Sequence, residues 1–315
     1  MMALFLRCLW ATNMKPLLRF YVAALTAYGI WGFFSLVLKP LHAYASVDIL
    51  FYRVFLCAVV MSAIVLLFKR KVLKENVALF KSLSSVQKRK VLWLNIGGGV
   101  LLTANWFSFI YVMNHINVKA TSLAYLVCPI LTTLLAWVIL KEKLSKQQWL
   151  AIFLSIVGCV ILSYSNLMDM VFSLIIGLSY ALYLIAQRQN TGFDKLILLS
   201  SQFLCAALLL LPFYPIYSAT LPTAFDFYFY ISIIAIGFTI IPLFLNLYAL
   251  KGLNSSTAGM LLNLNPLIAF ALAFFVFREE ISLLQISAYV IIFAAVVVFN
   301  ASSLFGKRKL RMVNA

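Results

Sequence analysis

The sequence predicts an all-α polytopic membrane protein, with ten transmembrane helices arranged as two inverted five-helix repeats. Three observations carry that expectation. First, 65% of the 315 residues are apolar and only 10% are charged, whereas a soluble chain keeps roughly a quarter of its residues charged. Second, the apolar residues run in long blocks, and about 20 of them in a helix cross the hydrocarbon core of a bilayer. Tracts such as Ile233 to Leu250 do not alternate apolar with polar, as the strands of a membrane barrel would. Third, one pattern occurs twice. "PILTTLLAWVILKEKLS" runs from Pro129 to Ser145, and "PLIAFALAFFVFREEIS" runs from Pro266 to Ser282.

The ten blocks follow in order. The first, 19–39, closes on Lys39, and the second, 48–68, carries Arg53 and ends at Lys69. A basic segment, 69–91, is the one generous loop. Block three, 92–114, holds Asn105 and Trp106, and block four, 119–140, holds Pro129 and stops at Lys141-Glu142-Lys143. Blocks five, six and seven are 146–164, 169–188 and 195–217. Block eight, 227–250, contains Pro242, and block nine, 255–277, contains Pro266 and stops at Arg278-Glu279-Glu280. Block ten, 283–304, runs into a basic tail. Little chain is left for a soluble catalytic domain.

The net charge of +17 points to orientation rather than to nucleic acid, because the basic residues fall between the blocks, where they decide which loops stay inside. With a cytoplasmic N-terminus, 21 of the 25 Lys and Arg fall on the inner side. Lys39, Lys119 and Arg278 fall on the outer side, and Arg53 lies within a helix. An even number of spans with both termini cytoplasmic is the expectation, in a bacterial cytoplasmic membrane. The start "MMALFLRCLWATNMKPLLRF" lacks the cleavage pattern of a signal peptide, and translation from either Met1 or Met14 fits it.

At a constant offset of 137, Tyr111 matches Tyr248, Asn117 matches Asn254, Pro129 matches Pro266, and Glu142 matches Glu279. Ser145 then matches Ser282, and Gln148 matches Gln285. Two units follow, 19–164 and 165–304, between tails 1–18 and 305–315. Five spans per unit is an odd number, so the second unit lies upside down relative to the first. Inverted repeats of this kind mark many secondary transporters, with the substrate site between the units near the midplane.

These residues resemble the drug/metabolite transporter superfamily, specifically its EamA family of ten-helix permeases. The proline, apolar run and "KEKLS" or "REEIS" ending is the pattern those repeats carry at the end of their fourth helix. Within the family the likeness is to the RarD-type branch, through "AYGIWGFFSLVLK" (27–39), "ANWFSFIYVMNH" (104–115) and "TSLAYLVCP" (121–129). The chain departs from that branch at Tyr52, Ala120 and Cys128, where His, an acidic residue and Asn are usual. The resemblance implies transport of small metabolites, often amino-acid-like or drug-like, across the bacterial cytoplasmic membrane.

Candidate residues come from what an apolar helix tolerates poorly. Asn105, Gln187, Asn246, Asn263 and Asn265 are amides that need a partner on another helix or on a ligand. Trp31, Trp106, Tyr125, Tyr180, Tyr183 and Tyr248 offer rings with polar tips. Together these form the expected substrate lining, with interhelical packing as the competing role for each. Lys39, Asp48 and Arg53 are placed at an outer mouth; Arg53 reads either as a gate or substrate-carboxylate contact, or as a structural charge reaching the interface. Pro129 and Pro266 are candidate hinges, and the prolines, Pro242 among them, can free backbone carbonyls at depth. Gly97, Gly98 and Gly99 read as close helix packing. Glu142 and Glu279, at helix ends, are expected to pair with local basic residues.

No mid-membrane carboxylate offers a proton relay. No GxSxG or HExxH is present, and the five cysteines and two histidines lack zinc spacing. The expectation is a non-enzymatic carrier without cofactor or metal, whose partners are a small molecule and the bilayer, not nucleic acid; its oligomeric state is open. A non-transporting scaffold and, further off, an intramembrane enzyme are the competing classes.

Overall fold

The computed structural model describes residues 16–115, 118–163, 167–190, 192–218, 221–276, 278 and 282–304, and among them every regular element is helical. Most of both expected tails lies outside these residues, as do Asn117, Glu279 and Glu280. The helix α1 (Pro16–Gly32) is followed by α2 (Phe34–Leu38) and a 3-10 turn, Lys39–Leu41. Then come α3 (Ser46–Phe68), α4 (Arg70–Ser82), α5 (Ser85–His115), α6 (Val118–Ile139), α7 (Lys146–Ser163) and α8 (Leu167–Gln189). A 3-10 turn, Leu211–Phe213, joins α9 (Lys195–Leu210) to α10 (Tyr214–Tyr217). A π-helical turn, Ile236–Ile240, joins α11 (Phe225–Ala235) to α12 (Ile241–Ala249). The last elements are α13 (Ser255–Leu261), α14 (Leu264–Phe275) and α15 (Leu283–Leu304).

Seven helices among the described residues are long and apolar enough to cross a membrane, and eight if the pair Leu17–Gly32 and Phe34–Leu41, bent by 41°, is one span. The blocks expected at 92–114 and 119–140 coincide with α5 and α6. Of these, α5 is longer than its block, and the apolar part of α6 is the shorter stretch Leu123–Ile139. Large apolar side chains such as Phe153, Val160, Leu208, Val290 and Phe293 are exposed on the outside of the bundle. Such a surface belongs in lipid, where it costs nothing to leave uncovered.

The segment 69–91 is not the loop that composition predicts. Its first part folds as α4, with Val72, Leu73, Asn76 and Phe80 on one less exposed face and lysines on the other. That spacing is the period of an amphipathic helix, and Asn76 Oδ1 accepts the Asp194 N–H at 2.8 Å.

Packing follows a pattern that survives exchanging the first five expected blocks with the last five. The helix α6 lies against α8, and its counterpart α14 lies against α1. Likewise α5 contacts α8 as α12 contacts α1, and α5 contacts α9 as α11 contacts α3. The pairs α3–α9, α7–α15 and α6–α13 map onto themselves. Glycine permits the closest approaches: a Cβ on Gly99 would lie 2.9 Å from the Cβ of Cys205 and 3.2 Å from the carbonyl of Gln202. Of the three consecutive glycines, Gly98 faces the side chains of Gln187 in α8 and Gln202 in α9, whereas Gly97 has nothing within 4 Å.

Candidate functional site

The centre of the bundle is an aromatic and amide knot. Tyr28 Oη donates to Asn246 Oδ1 at 2.7 Å, and Asn246 Nδ2 donates to Tyr180 Oη at 3.2 Å. Trp31 meets the Tyr180 ring edge-on at 5.9 Å, and the Tyr183 ring lies 5.6 Å from it. Three helices, α1, α8 and α12, therefore converge through neutral polar tips whose hydrogen bonds are mutually satisfied. Buried groups of this kind are tolerated only when paired.

Proline chemistry holds Trp31 in place. In an α-helix the carbonyl of residue 238 would accept the N–H of residue 242, and Pro242 has none. The chain widens into the π turn there, with Thr239 Oγ1 donating to the Ile234 carbonyl at 2.8 Å. The Phe238 carbonyl thus freed accepts Trp31 Nε1 at 2.8 Å.

Arg53 stands in a second group. Its guanidinium is buried, 4.7 Å over the Trp106 ring, and Nε has no hydrogen-bond partner. Trp106 stacks on Phe203 at 5.9 Å, and Tyr125 lies within electrostatic range of both Arg53 and Tyr180. The guanidinium is turned onto the ring instead of extending to the end of the bundle. Asp48, one of the other expected mouth residues, borders a recess of about 320 Å³ shared with Tyr44 and Pro222, and accepts from Ser218 Oγ at 2.8 Å. Lys39 is exposed in its 3-10 turn.

The remaining expected lining residues go elsewhere. Asn105 donates to the Ile176 carbonyl at 3.0 Å and to Ser179 Oγ at 3.1 Å, bracing α5 against α8. Gln187 is fully buried with neither amide atom partnered, beside Gln202 and over Gly98. Gln202 Nε2 donates to Asn95 Oδ1 at 3.2 Å, and Asn95 Nδ2 donates to Ser201 Oγ at 2.6 Å. Tyr248 packs on Phe20 at 5.2 Å. Asn263 and Asn265 are buried just before Pro266, and Asn263 Nδ2 is 4.0 Å from the Met260 sulfur.

Sequence reasoning passed over Tyr28, Asn95 and Gln202. Tyr28 had a signal, being three residues before Trp31 and so on the same helical face. Glu142 requires a correction: its partners are not basic. Its carboxylate accepts the N–H groups of Ser255 and Ser256, at 2.8 and 3.1 Å, and the Ser256 hydroxyl. A carboxylate at the first N–H groups of α13 meets unpaired donors and the positive end of the helix dipole, which a lysine neighbour in water cannot match.

Comparison with known proteins agrees with this architecture. The EamA-like transporter family matches the chain twice, over residues 18–164 and 167–301. An uncharacterized transporter of Pseudomonas aeruginosa is 26% identical over 303 residues, covering 93% of this chain and 96% of that protein. Protein RarD of Escherichia coli is 24% identical over 298 residues, covering 91% and 95%. One solved crystal structure superposes with a TM-score of 0.69 at 15% identity, covering 90% of this chain and 96% of that one, which speaks to the fold alone. The chain belongs to the EamA-like transporter family as a RarD-like, multi-pass membrane permease.

Proposed function

We infer that this transporter moves a small amphipathic metabolite, amino-acid-like or drug-like, outward across the bacterial cytoplasmic membrane by alternating access. Ten spans form two inverted units, 19–164 and 165–304, with both termini cytoplasmic. The exchange symmetry of the helix contacts and the double family match support the two units. The excess of basic residues on one set of loops supports the orientation.

The observation that carries the reading is the buried knot of Tyr28, Asn246 and Tyr180, with Trp31 against it. The first unit supplies α1 and the second supplies α8 and α12, so rocking one unit against the other must remake these bonds. A flat substrate with a polar tip can take their place, its body on the rings and its tip on the amide. Pro129 and Pro266 are the hinges in this reading, and Lys39 and Asp48 belong to the outer mouth.

Proteoliposomes loaded with a mixture of amino acids and small aromatic metabolites test it. At least one solute leaves faster than from protein-free vesicles, and Asn246→Ala slows that efflux by about tenfold, the loss of one or two hydrogen bonds. No carrier-dependent movement of any solute in either direction removes the transport reading in favour of a scaffold.

A further inference from the structure

Arg53 is a cation buried among neutral groups. It lies in α3 at 9% exposure, with its Nε unpartnered and its charge reaching Trp106, Cys57 and Tyr125. Taking a guanidinium out of water without a counter-ion is among the most expensive arrangements a fold can hold. The contact with the Trp106 face returns only part of that cost. A planar guanidinium fork matches a carboxylate, which takes two parallel N–H donors at once. Trp106 stacked on Phe203, and Tyr125 beside Phe109 at 5.5 Å, place a flat apolar wall next to the fork.

The same surroundings limit what else the ligand carries. Asp48 is the acidic residue of this helix, five positions away, which puts it about 7.5 Å along the axis and about 140° around it. It faces the recess and Ser218, so a ligand whose carboxylate sits on Arg53 cannot place an α-ammonium group on it. We propose that Arg53 receives the single carboxylate of the transported solute, which is an organic monoanion with a flat apolar body rather than a neutral or zwitterionic compound. This rests on the transport reading above and narrows its substrate class. It also supplies a drive for export: an inside-negative potential favours a monoanion outside by about fifty-fold per 100 mV.

The test uses the full-length chain in detergent, melted with phenylacetate, phenylacetamide, phenylalanine and phenethylamine. Phenylacetate binds at least about tenfold more tightly than its neutral amide and than the other two, judged from the concentration dependence of Tm. Arg53→Gln abolishes the preference and Arg53→Lys keeps part of it. Without ligand, Arg53→Gln melts at or above the wild-type temperature, because an uncompensated buried charge has been removed.

Equal binding of the acid and the amide overturns the proposal, and so does a carboxylate preference that survives Arg53→Gln. A ligand-free Arg53→Gln chain that melts far lower or does not fold also overturns it, since that is how a structural ion behaves. Flux of the same compounds in proteoliposomes, above protein-free vesicles, separates the two readings. Carrier-dependent movement of the amide as fast as the acid leaves a transporter without this anion site. Arg53-dependent binding of the acid without flux of any compound leaves the site and removes the transporter.

Discussion

The junctions after α6 and after α14 are written with nearly the same residues, yet among the described residues they share one backbone torsion and a cap and differ in their helices. Lys141 and Arg278, matched at the offset of 137, both adopt left-handed backbone, with φ of 56° and 53°. Neither is a glycine, so each turn holds a conformation that a side chain resists. Ser145 and Ser282 then open the next helices by the same capping box. Their N–H groups donate to Gln148 Oε1 and Gln285 Oε1, each at 2.9 Å, and the glutamine N–H groups donate back to the serine hydroxyls. Before the turn the copies part company. The helix α6 runs unbroken through Pro129, whereas the second copy is interrupted at Leu262 and Asn263 before α14 begins.

Proline alone does not distinguish the two copies. Pro266 cannot donate to the Leu262 carbonyl, which accepts the N–H of Asn265 at 3.0 Å instead, a tighter 3-10 bond. In the first copy the carbonyl that Pro129 leaves without an N–H donor is that of Tyr125, while Thr132 and Thr133 donate to the later carbonyls of Cys128 and Pro129, both at 2.8 Å. The residues at the matched positions of the second copy are Ala269 and Phe270, which have no hydroxyl to offer. The duplicated caps are therefore short-range chemistry that travels with the sequence, while helix continuity at the prolines differs between the copies.

The largest effect expected from breaking this comparison is at Glu142, which bonds Ser255 and Ser256 across the two units. Glu142→Ala leaves two N–H groups at the start of α13 without their charged acceptor. The expected cost is about 3 kcal/mol, from charge-assisted bonds of roughly 1.5–3 kcal/mol each that water replaces in part. Denaturant titration in detergent measures it. A change below about 1 kcal/mol would show that the contact adds nothing to holding the units together.

A smaller effect is expected where the two matched helices touch. A Cβ on Gly259 would lie 2.8 Å from both Cβ and Cγ2 of Thr132, so Gly259→Ala forces the helices apart at a cost of about 1–3 kcal/mol. Thr132→Ala removes Cγ2 and Oγ1 but keeps Cβ, so the double variant recovers part of the loss. A double-mutant cycle reads the coupling, and strict additivity would separate these residues.

Much of this was legible in the sequence because it depends on few neighbours. Apolar blocks are patterns within about twenty residues, and the offset of 137 is read by setting the two copies side by side. The lining residues were harder to read, because an amide in an apolar helix records only that a partner exists. Asn246 found two tyrosines, Asn105 found a backbone carbonyl, and Gln187 found no partner. Pro242 shows the limit well: its missing N–H was readable, but not that Trp31, 211 positions earlier, takes the freed carbonyl. Glu142 shows it again, since its helix-end position was evident but the helix it caps lies 113 residues on.

The finest test sets the two caps against each other. Ser145→Ala and Ser282→Ala each remove a hydroxyl that accepts from the glutamine N–H, at 3.3 and 3.2 Å. The bond from each main-chain N–H to the glutamine side chain is left in place, so each change is expected to cost about 0.5–1 kcal/mol, the lower part of the capping range. The two losses should agree within about 0.3 kcal/mol if the copies keep the same local energetics. Amide hydrogen exchange over the first turns of α7 and α15 reads each cap separately. If Ser145→Ala costs clearly more than Ser282→Ala, the Glu142 clasp three residues upstream is coupled to the first cap, and the two caps share geometry without sharing energy.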